Sequence, residues 1–486
     1  MRLTETDASF IYMETASSPM HISSVYVLEG EVSFEDIYEH IEKRIHLVPA
    51  YHRKLAQIPF SLGHPKWIDD TEFDLHNHLL LHQLPEGSTL QEGVDKGVEL
   101  NEPMLDRKHP LWKFVVLKGV PGKTLLLQQT HHAMIDGASG IDLTSIIYDL
   151  SPDAPAPKPP AEPWQPQPTP SAGALISEAV QENFSNFANT NPLKAFSNSR
   201  EVLGRLRKAT EIFTRFMSKP AITAPFNAGM VGPKRRVKWI KKPFTEIREI
   251  RRHLGGTIND VVLAVVSESI ARYLEHHKER VDNQFIRIMC PVNVRTEDQK
   301  GALGNQVSAI FPLFPASSMS STSRLESVIN EMQRIKTDEE AQALTVMQEN
   351  MPEFPPVAMA MTQLVGTALD PTALAARVPM PIMPSFGYRQ PNMGVNLVCT
   401  NVPGLQVPQY MCGAEVTDTI GLLVLTGNVG LSLTILSYNK QLFFNFISEP
   451  RLVPDLQVII DHAEDVFNEL LSAAREQDSQ TNNNQQ

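Results

Sequence analysis

The chain has 486 residues, 42% hydrophobic and 20% charged, with a formal net charge of -12. This length allows two or three domains, or two that share a core, and the composition is globular. The acidic charge argues against general nucleic-acid binding, and three cysteines (Cys290, Cys399, Cys412) without CxxC spacing read as buried thiols of a reducing compartment, with no disulfide framework and no cysteine zinc site.

The first residues, MRLTETDASFIYMETASS, carry charges where a signal peptide needs an apolar run. No uninterrupted apolar run reaches about 18 residues, so no membrane span is expected. At 112–130, WKFVVLKGVPGKTLLLQQT predicts a hairpin: two β-rich runs flank GVPG, whose proline and glycine suit a turn. The next residues extend this second strand into QQTHHAMIDGASG, which places His131 and His132 at its end. Leu143, Ile146, Ile147 and Leu150 then recur at helical spacing. The histidines, Asp136 and Gly137 therefore belong to a strand-to-helix loop, a common place for active sites.

Residues 151–170 hold nine prolines and predict an extended linker, continuing as a crossover to 199. Residues 200–252 carry 15 Lys and Arg against 4 Asp and Glu, in an otherwise acidic chain. Within them, Leu203, Leu206, Phe213 and Phe216 or Met217 have helical spacing. Such a basic amphipathic helix can lie on an anionic lipid surface, or pack on its own domain with solvated charges.

TINDVVLAVVSESIARYL, from 257, predicts a buried helix with candidate N-caps at its start. FIRIMCPVNVR, GVNLVCTNVPG and LSLTILSYNKQLFFNFI predict strands, the last a hairpin, and DLQVIIDHAEDVFNELLSAA a closing amphipathic helix. The polar end, 476–486, predicts a disordered tail. Both halves mix strands and helices, so α/β layers are expected in each: an N-terminal domain over 1–150 and a C-terminal one over 200–475.

Adjacent strand histidines point to opposite faces and do not easily share a metal, and HExxH is absent, so no metal is expected. GxSxG is absent too, leaving no signal for an activated nucleophile. What remains is one histidine as general base on a substrate's own hydroxyl, thiol or amine, since an imidazole titrates near pH ~6.5. Asp136 could fix the loop by pairing with a distant arginine or by a local turn, and Gly137 lets the backbone turn where a side chain does not fit.

The spacing HHxxxDG resembles that of the CoA-dependent acyltransferase superfamily. Several stretches in order carry a closer resemblance: TETDASFIYMETASSPMHISSVYVLEG, HPKWIDDTEFDLHNHL, the PLW of MLDRKHPLWKFVVLKG, TINDVVLAVV, PVNVRTEDQKGALGNQVS and CTNVPG. On these the chain resembles the bacterial bifunctional wax ester synthase/diacylglycerol acyltransferase family. The resemblance implies two chloramphenicol-acetyltransferase-like α/β domains, mixed sheets flanked by helices, with an active-site tunnel between them. It implies an acyl-CoA-dependent O-acyltransferase acting on a fatty alcohol or diacylglycerol, with acyl-CoA a substrate and no cofactor. His132 would be the general base without an acyl-enzyme, and His131 a supporting residue. Asp136 would pair with Arg295 across the halves. Asn259 would aid an oxyanion directly or through the helix end it caps, or be a plain N-cap; Asp260 would be structural.

Pro110, Leu111, Trp112, Asn401, Val402, Pro403 and Gly404 would pack or line the tunnel. Phe443 and Phe444 alternate on a strand, so one of them would face it and favour the slender alcohol. A neutral-lipid product implies a cytoplasmic protein held peripherally at the inner membrane or a lipid droplet, through the basic 200–252 region. Rival readings are another hydroxylated acceptor (a polyketide or sugar) and a non-catalytic module of the same fold.

Overall fold

The structure, a computed structural model, describes residues 2–134, 146–189, 221–293, 307–338 and 394–483, with 214, 219 and 356 besides. The chain opens on helix α1 (Glu5–Met13), capped by Thr4, whose hydroxyl accepts from the Asp7 N–H. Strand β1 (His21–Glu29), helix α2 (Phe34–Glu42), the small hairpin β2 (Arg53–Ala56) with β3 (Lys66–Asp69), strand β4 (Leu79–Gln83) and helix α3 (Leu90–Asn101) follow. The expected hairpin forms as β5 (Trp112–Lys118) and β6 (Lys123–His131). Its turn needs Gly119 at φ +116°, where a Cβ would meet the Leu84 carbonyl oxygen at 2.8 Å.

Helix α4 (Ala172–Asn189) follows the prolines. The crossover expected over 151–199 is thus extended only in its first part. Proline stops at 170, and the Ser171 hydroxyl accepts from the Ala174 N–H to start a helix. Leu175 and Ala179, one turn apart, bury against Ile58.

The second half begins with strand β7 (Arg236–Pro243) and helices α5 (Phe244–Leu254) and α6 (Ile258–His276). Strands β8 (Phe285–Asn293), β9 (Val307–Ile310) and β10 (Leu313–Pro315) lead to helix α7 (Ser321–Thr337). Strands β11 (Leu397–Pro403), β12 (Tyr410–Met411), β13 (Ala414–Leu422), β14 (Leu431–Tyr438) and β15 (Gln441–Ser448) precede helix α8 (Leu456–Asn483). The disordered tail expected from 476 is corrected over 476–483, which are helical. The packed face of α8 carries the helix onward, and Arg475 fixes its last turns to Glu249 of α5 at 2.9 Å.

Two mixed sheets result. The first runs β12-β13-β1-β6-β5-β4, with β4 parallel to β5. The second runs β10-β8-β11-β14-β15-β7, with β9 on β8 and β11 parallel to both β8 and β14. The first sheet is not built from the N-terminal third alone. β13 pairs antiparallel with β1, Val25 opposite Ile420, so residues 410–422 cross over to complete it.

Burial explains the layers. Alternate residues of β1 split between faces: Tyr26 and Leu28 join Ile37 and Ile41 of α2, and Val25 and Val27 join Val94 and Val98 of α3. In the second sheet Leu442, Phe444 and Phe446 pack on α5, α6 and α8. Phe443 and Ile447, on the other face, pack toward the first sheet. There Gly421 of β13 is needed for close approach, since a Cβ would meet Thr434 at 2.9 Å and Leu436 at 3.0 Å. Among the described residues no single helix is long and apolar enough to cross a membrane.

Candidate active site

Strand β6 ends at His131, and a single 3₁₀ turn, His132–Met134, follows. The pair is clamped from both neighbouring strands. The His131 N–H donates to the Leu111 carbonyl at 2.9 Å, and the His132 N–H to the Met20 carbonyl at 2.8 Å. The two side chains then part. His131 is fully buried; the His132 ring stacks on Phe10 of α1, centroids 3.8 Å apart and planes 14° from parallel.

Four residues beyond Phe10, where α1 ends, Glu14 meets His131. Residues i and i+4 share a helix face, so α1 presents its ring to one histidine and its carboxylate to the other. Glu14 is 1% exposed. Its Oε1 accepts from the Met20 N–H at 3.1 Å and lies 3.4 Å from His131 Nε2; its Oε2 accepts from Arg107 Nη2 at 2.9 Å. Burial pushes this carboxyl up, but His131 and Arg107 outweigh burial and hold it at about 2. The Ala133 N–H donates to His131 Nδ1 at 3.0 Å, so the ring proton sits on Nε2, facing Glu14.

His21, paired across the sheet with His131, receives the Leu105 N–H on Nε2 at 3.3 Å. Burial lowers its pKa to about 4, so its 3.7 Å approach to Glu14 is no ion pair at neutral pH. Burial likewise lowers His132 to about 4. The His132 ring is therefore an unprotonated base at working pH, and its Nδ1 is buried with no hydrogen-bond partner among the described residues. A neutral imidazole can take a proton and return it.

Asp136, Gly137 and Arg295 lie outside the described residues. Asn259 is the second residue of α6, and the N-cap is Thr257, whose hydroxyl accepts from the Asp260 N–H while Asp260 Oδ2 accepts from the Thr257 N–H at 2.7 Å. The capping reading of Asn259 is thus corrected, because this box already satisfies the helix start. Asn259 Oδ1 instead accepts from Asn401 Nδ2 at 3.4 Å, joining the start of α6 to β11. Asn401, Val402 and Pro403 are exposed at the end of β11, and Gly404 allows the backbone to reach Ser437, whose carbonyl oxygen a Cβ would strike.

Of the residues expected to pack or to line a tunnel, Trp112 packs, and neither Phe443 nor Phe444 forms an exposed wall. Trp112 is 1% exposed, stacks on Tyr51 and donates its indole N–H to the Tyr51 carbonyl, so it is core. Phe444 packs among the C-terminal helices, because alternation sends it away from the first sheet; Phe443 faces that sheet but is fully buried among core residues. Pro110 is buried as well, and Leu111 packs with Ala133 and α1 behind the histidine turn. Sequence reading missed Glu14, Phe10, Met20 and His21; the signal was a glutamate directly after the apolar run FIYM.

Elsewhere, His276, His277 and Asp455 bring possible cation ligands within 4.8 Å of one another. They gather at the end of α6 opposite to Asn259, where His277 Nε2 and the Tyr273 hydroxyl each lie 2.8 Å from the Asp455 carboxylate.

The wax ester synthase/diacylglycerol acyltransferase catalytic-domain family matches residues 3–262, and the C-terminal domain of that family matches 303–471. Two Mycobacterium tuberculosis proteins named as diacylglycerol O-acyltransferases are 28% and 25% identical. The alignments cover 99% and 97% of this chain, and 92% and 96% of theirs. The fold is similar to that of the wax ester synthase/diacylglycerol acyltransferase of Marinobacter aquaeolei VT8, with TM-score 0.64 and 20% identity over 98% of this chain and all of that one. The first condensation domain of the calcium-dependent antibiotic synthetase is similar at TM-score 0.56 and 12% identity, over 97% and 95%. The chain is an acyltransferase and belongs to the wax ester synthase/diacylglycerol acyltransferase family.

Proposed function

We propose that the chain transfers a long-chain acyl group from acyl-CoA to the hydroxyl of diacylglycerol or a fatty alcohol, with His132 as general base. The observation that carries this is His132 itself: a neutral, half-buried imidazole on a stacked platform at the end of β6. His132 takes the hydroxyl proton as the oxygen attacks the thioester carbonyl. The C–S bond then breaks, and the imidazolium gives its proton to the CoA thiolate. Ester and free CoA leave, and the base is restored without an acyl-enzyme. Even an ordinary imidazole, titrating at ~6.5, is far too weak a base to ionise an alcohol beforehand, so proton transfer must accompany C–O bond formation.

Diacylglycerol is the acceptor in the names of the mycobacterial relatives. The steric argument for the alcohol loses both phenylalanines, since Phe443 and Phe444 are fully buried in core clusters. Both acceptors therefore stand. Docking on an anionic surface would rest on the basic 200–252 region, not all of whose described cations are engaged within the protein. Within it, Lys234 and Lys241 already pair with Glu102 and Asp418 of the first sheet's side, and Lys242 lies over Phe467.

The test offers one acyl-CoA, hexadecanol and dipalmitoylglycerol together to purified protein on vesicles, with and without anionic lipid. Formation of wax ester or triacylglycerol is expected, stimulated by anionic lipid and less so at high salt. No ester with either acceptor sinks the function; indifference to lipid charge sinks the docking.

A further inference from the structure

We infer that Glu14 is a positioning residue for the base: through His131 and Met20 it holds the turn that aims the His132 ring. The inference rests on the proposed role of His132. Two hydrogen bonds, from the Met20 N–H and from Arg107, and a 3.4 Å approach of His131 Nε2 converge on one carboxylate and reach the turn from two directions. On one side, Oε1 accepts from the Met20 N–H, and the carbonyl of the same Met20 receives the His132 N–H. On the other, the same oxygen faces His131 Nε2, which leaves Nδ1 free to accept from Ala133. Were the His131 proton to move to Nδ1, it would oppose the Ala133 N–H, and the bond that folds 131–133 would be lost. A carboxylate, which only accepts, enforces the tautomer that keeps this bond.

Arg107 secures the carboxylate from behind. Its Nη2 donates both to Glu14 Oε2 and to the Ile11 carbonyl, at 2.9 Å each. Phe10, on the same helix, supplies the surface on which His132 lies. One short helix therefore sets both the backbone and the ring plane of the base. A misplacement of about 1 Å at a reacting group costs on the order of 10²-fold in rate, so such a hub acts on turnover rather than on substrate affinity.

Glu14→Gln, His131→Ala and their double variant separate this role from plain packing. A glutamine can present its NH₂ to His131 or to Arg107, and so no longer enforces the tautomer. Glu14→Gln is expected to lower kcat roughly 10–100-fold with KM for acyl-CoA within about 2-fold. The double variant should lose less than the product of the two single losses, because the two share the route through the His131 imidazole. Unchanged kcat in folded Glu14→Gln, or losses that multiply in the double variant, overturn the inference. If Glu14→Gln does not fold, Arg107→Gln keeps a donor on Oε2 but loosens the same carboxylate; a smaller, kcat-only loss supports the role and an unchanged kcat overturns it. Wild type and His132→Ala run alongside. If these two turn over alike, the base itself is misassigned and the inference falls with it. If only His132→Ala is inactive, Glu14 alone is misjudged.

Discussion

Glu14 and Glu268 are both buried carboxylates facing arginine, one beside the histidine pair and one among the C-terminal helices. Glu268 on α6 accepts from Arg324 Nε at 2.8 Å, Arg272 Nε at 3.1 Å and the Met319 N–H at 3.1 Å. Arg324 gives its remaining nitrogens to the Pro315 and Ser317 carbonyls. Every partner there is a guanidinium or a backbone group, and none changes protonation near neutrality. Glu14 has one arginine, and its other neighbours include two imidazoles. Similar burial thus serves two ends: guanidinium partners staple helices, whereas imidazole partners place the carboxylate next to proton transfer.

Three experiments break or sharpen that contrast. The largest effect is expected at the base. His132→Ala should lower turnover roughly 10²–10⁴-fold while the protein stays folded, with His131→Ala milder. Steady-state ester formation and a melting curve on the same sample measure this; near-normal turnover in His132→Ala removes the base.

Next comes the staple. Arg324→Ala leaves Glu268 with a buried charge short of its closest partner, and both side chains are fully buried. A loss of about 3–5 kcal/mol in unfolding free energy is expected, with kcat/KM per folded molecule unchanged. A kinetic defect larger than the folding defect would mean that the C-terminal pair is not merely a staple.

The smallest effect per group concerns acid. Burial lowers His21 and His132 to about 4. Both prefer the neutral form when folded, so their contribution is intact above the unfolded value, ~6.5, and is lost as pH falls through that value toward 4. Each should cost at most about 1.4 kcal/mol per pH unit across that window. Glu14, held at about 2, keeps its contribution there and loses it only below the ordinary carboxyl range. Hydrogen exchange at pH 5 should therefore loosen β1 and β6 before α6 and α7; uniform loosening would contradict the assignment.

The local pattern of this fold was legible, and its long-range partners were not. GVPG between two apolar runs foretold the β5–β6 hairpin, because turn chemistry and strand period are local. The TIND stretch foretold α6, and its capping box was there to read: Thr257 stands three residues before Asp260. The helix at 476–483 escaped because QDSQTNN has a disordered composition, while the contacts that anchor α8 lie on α5. Alternation told that Phe443 and Phe444 part, but not which faces a helix layer. Of the site, the two histidines were visible as a motif. Glu14 was not, since its burial depends on β6 and on Arg107, 93 residues away.

The crossing of β13 bears on how the chain comes off the ribosome. β1 and β6 emerge early, but the strand that covers the other edge of β1 is about 280 residues behind β6. At about 5–20 residues per second, that edge waits roughly 15–60 s for its partner. Through that interval β1 offers unpaired N–H and C=O groups to any passing strand. The two halves are therefore not interchangeable modules that fold in turn: the first sheet closes only when most of the second has been made.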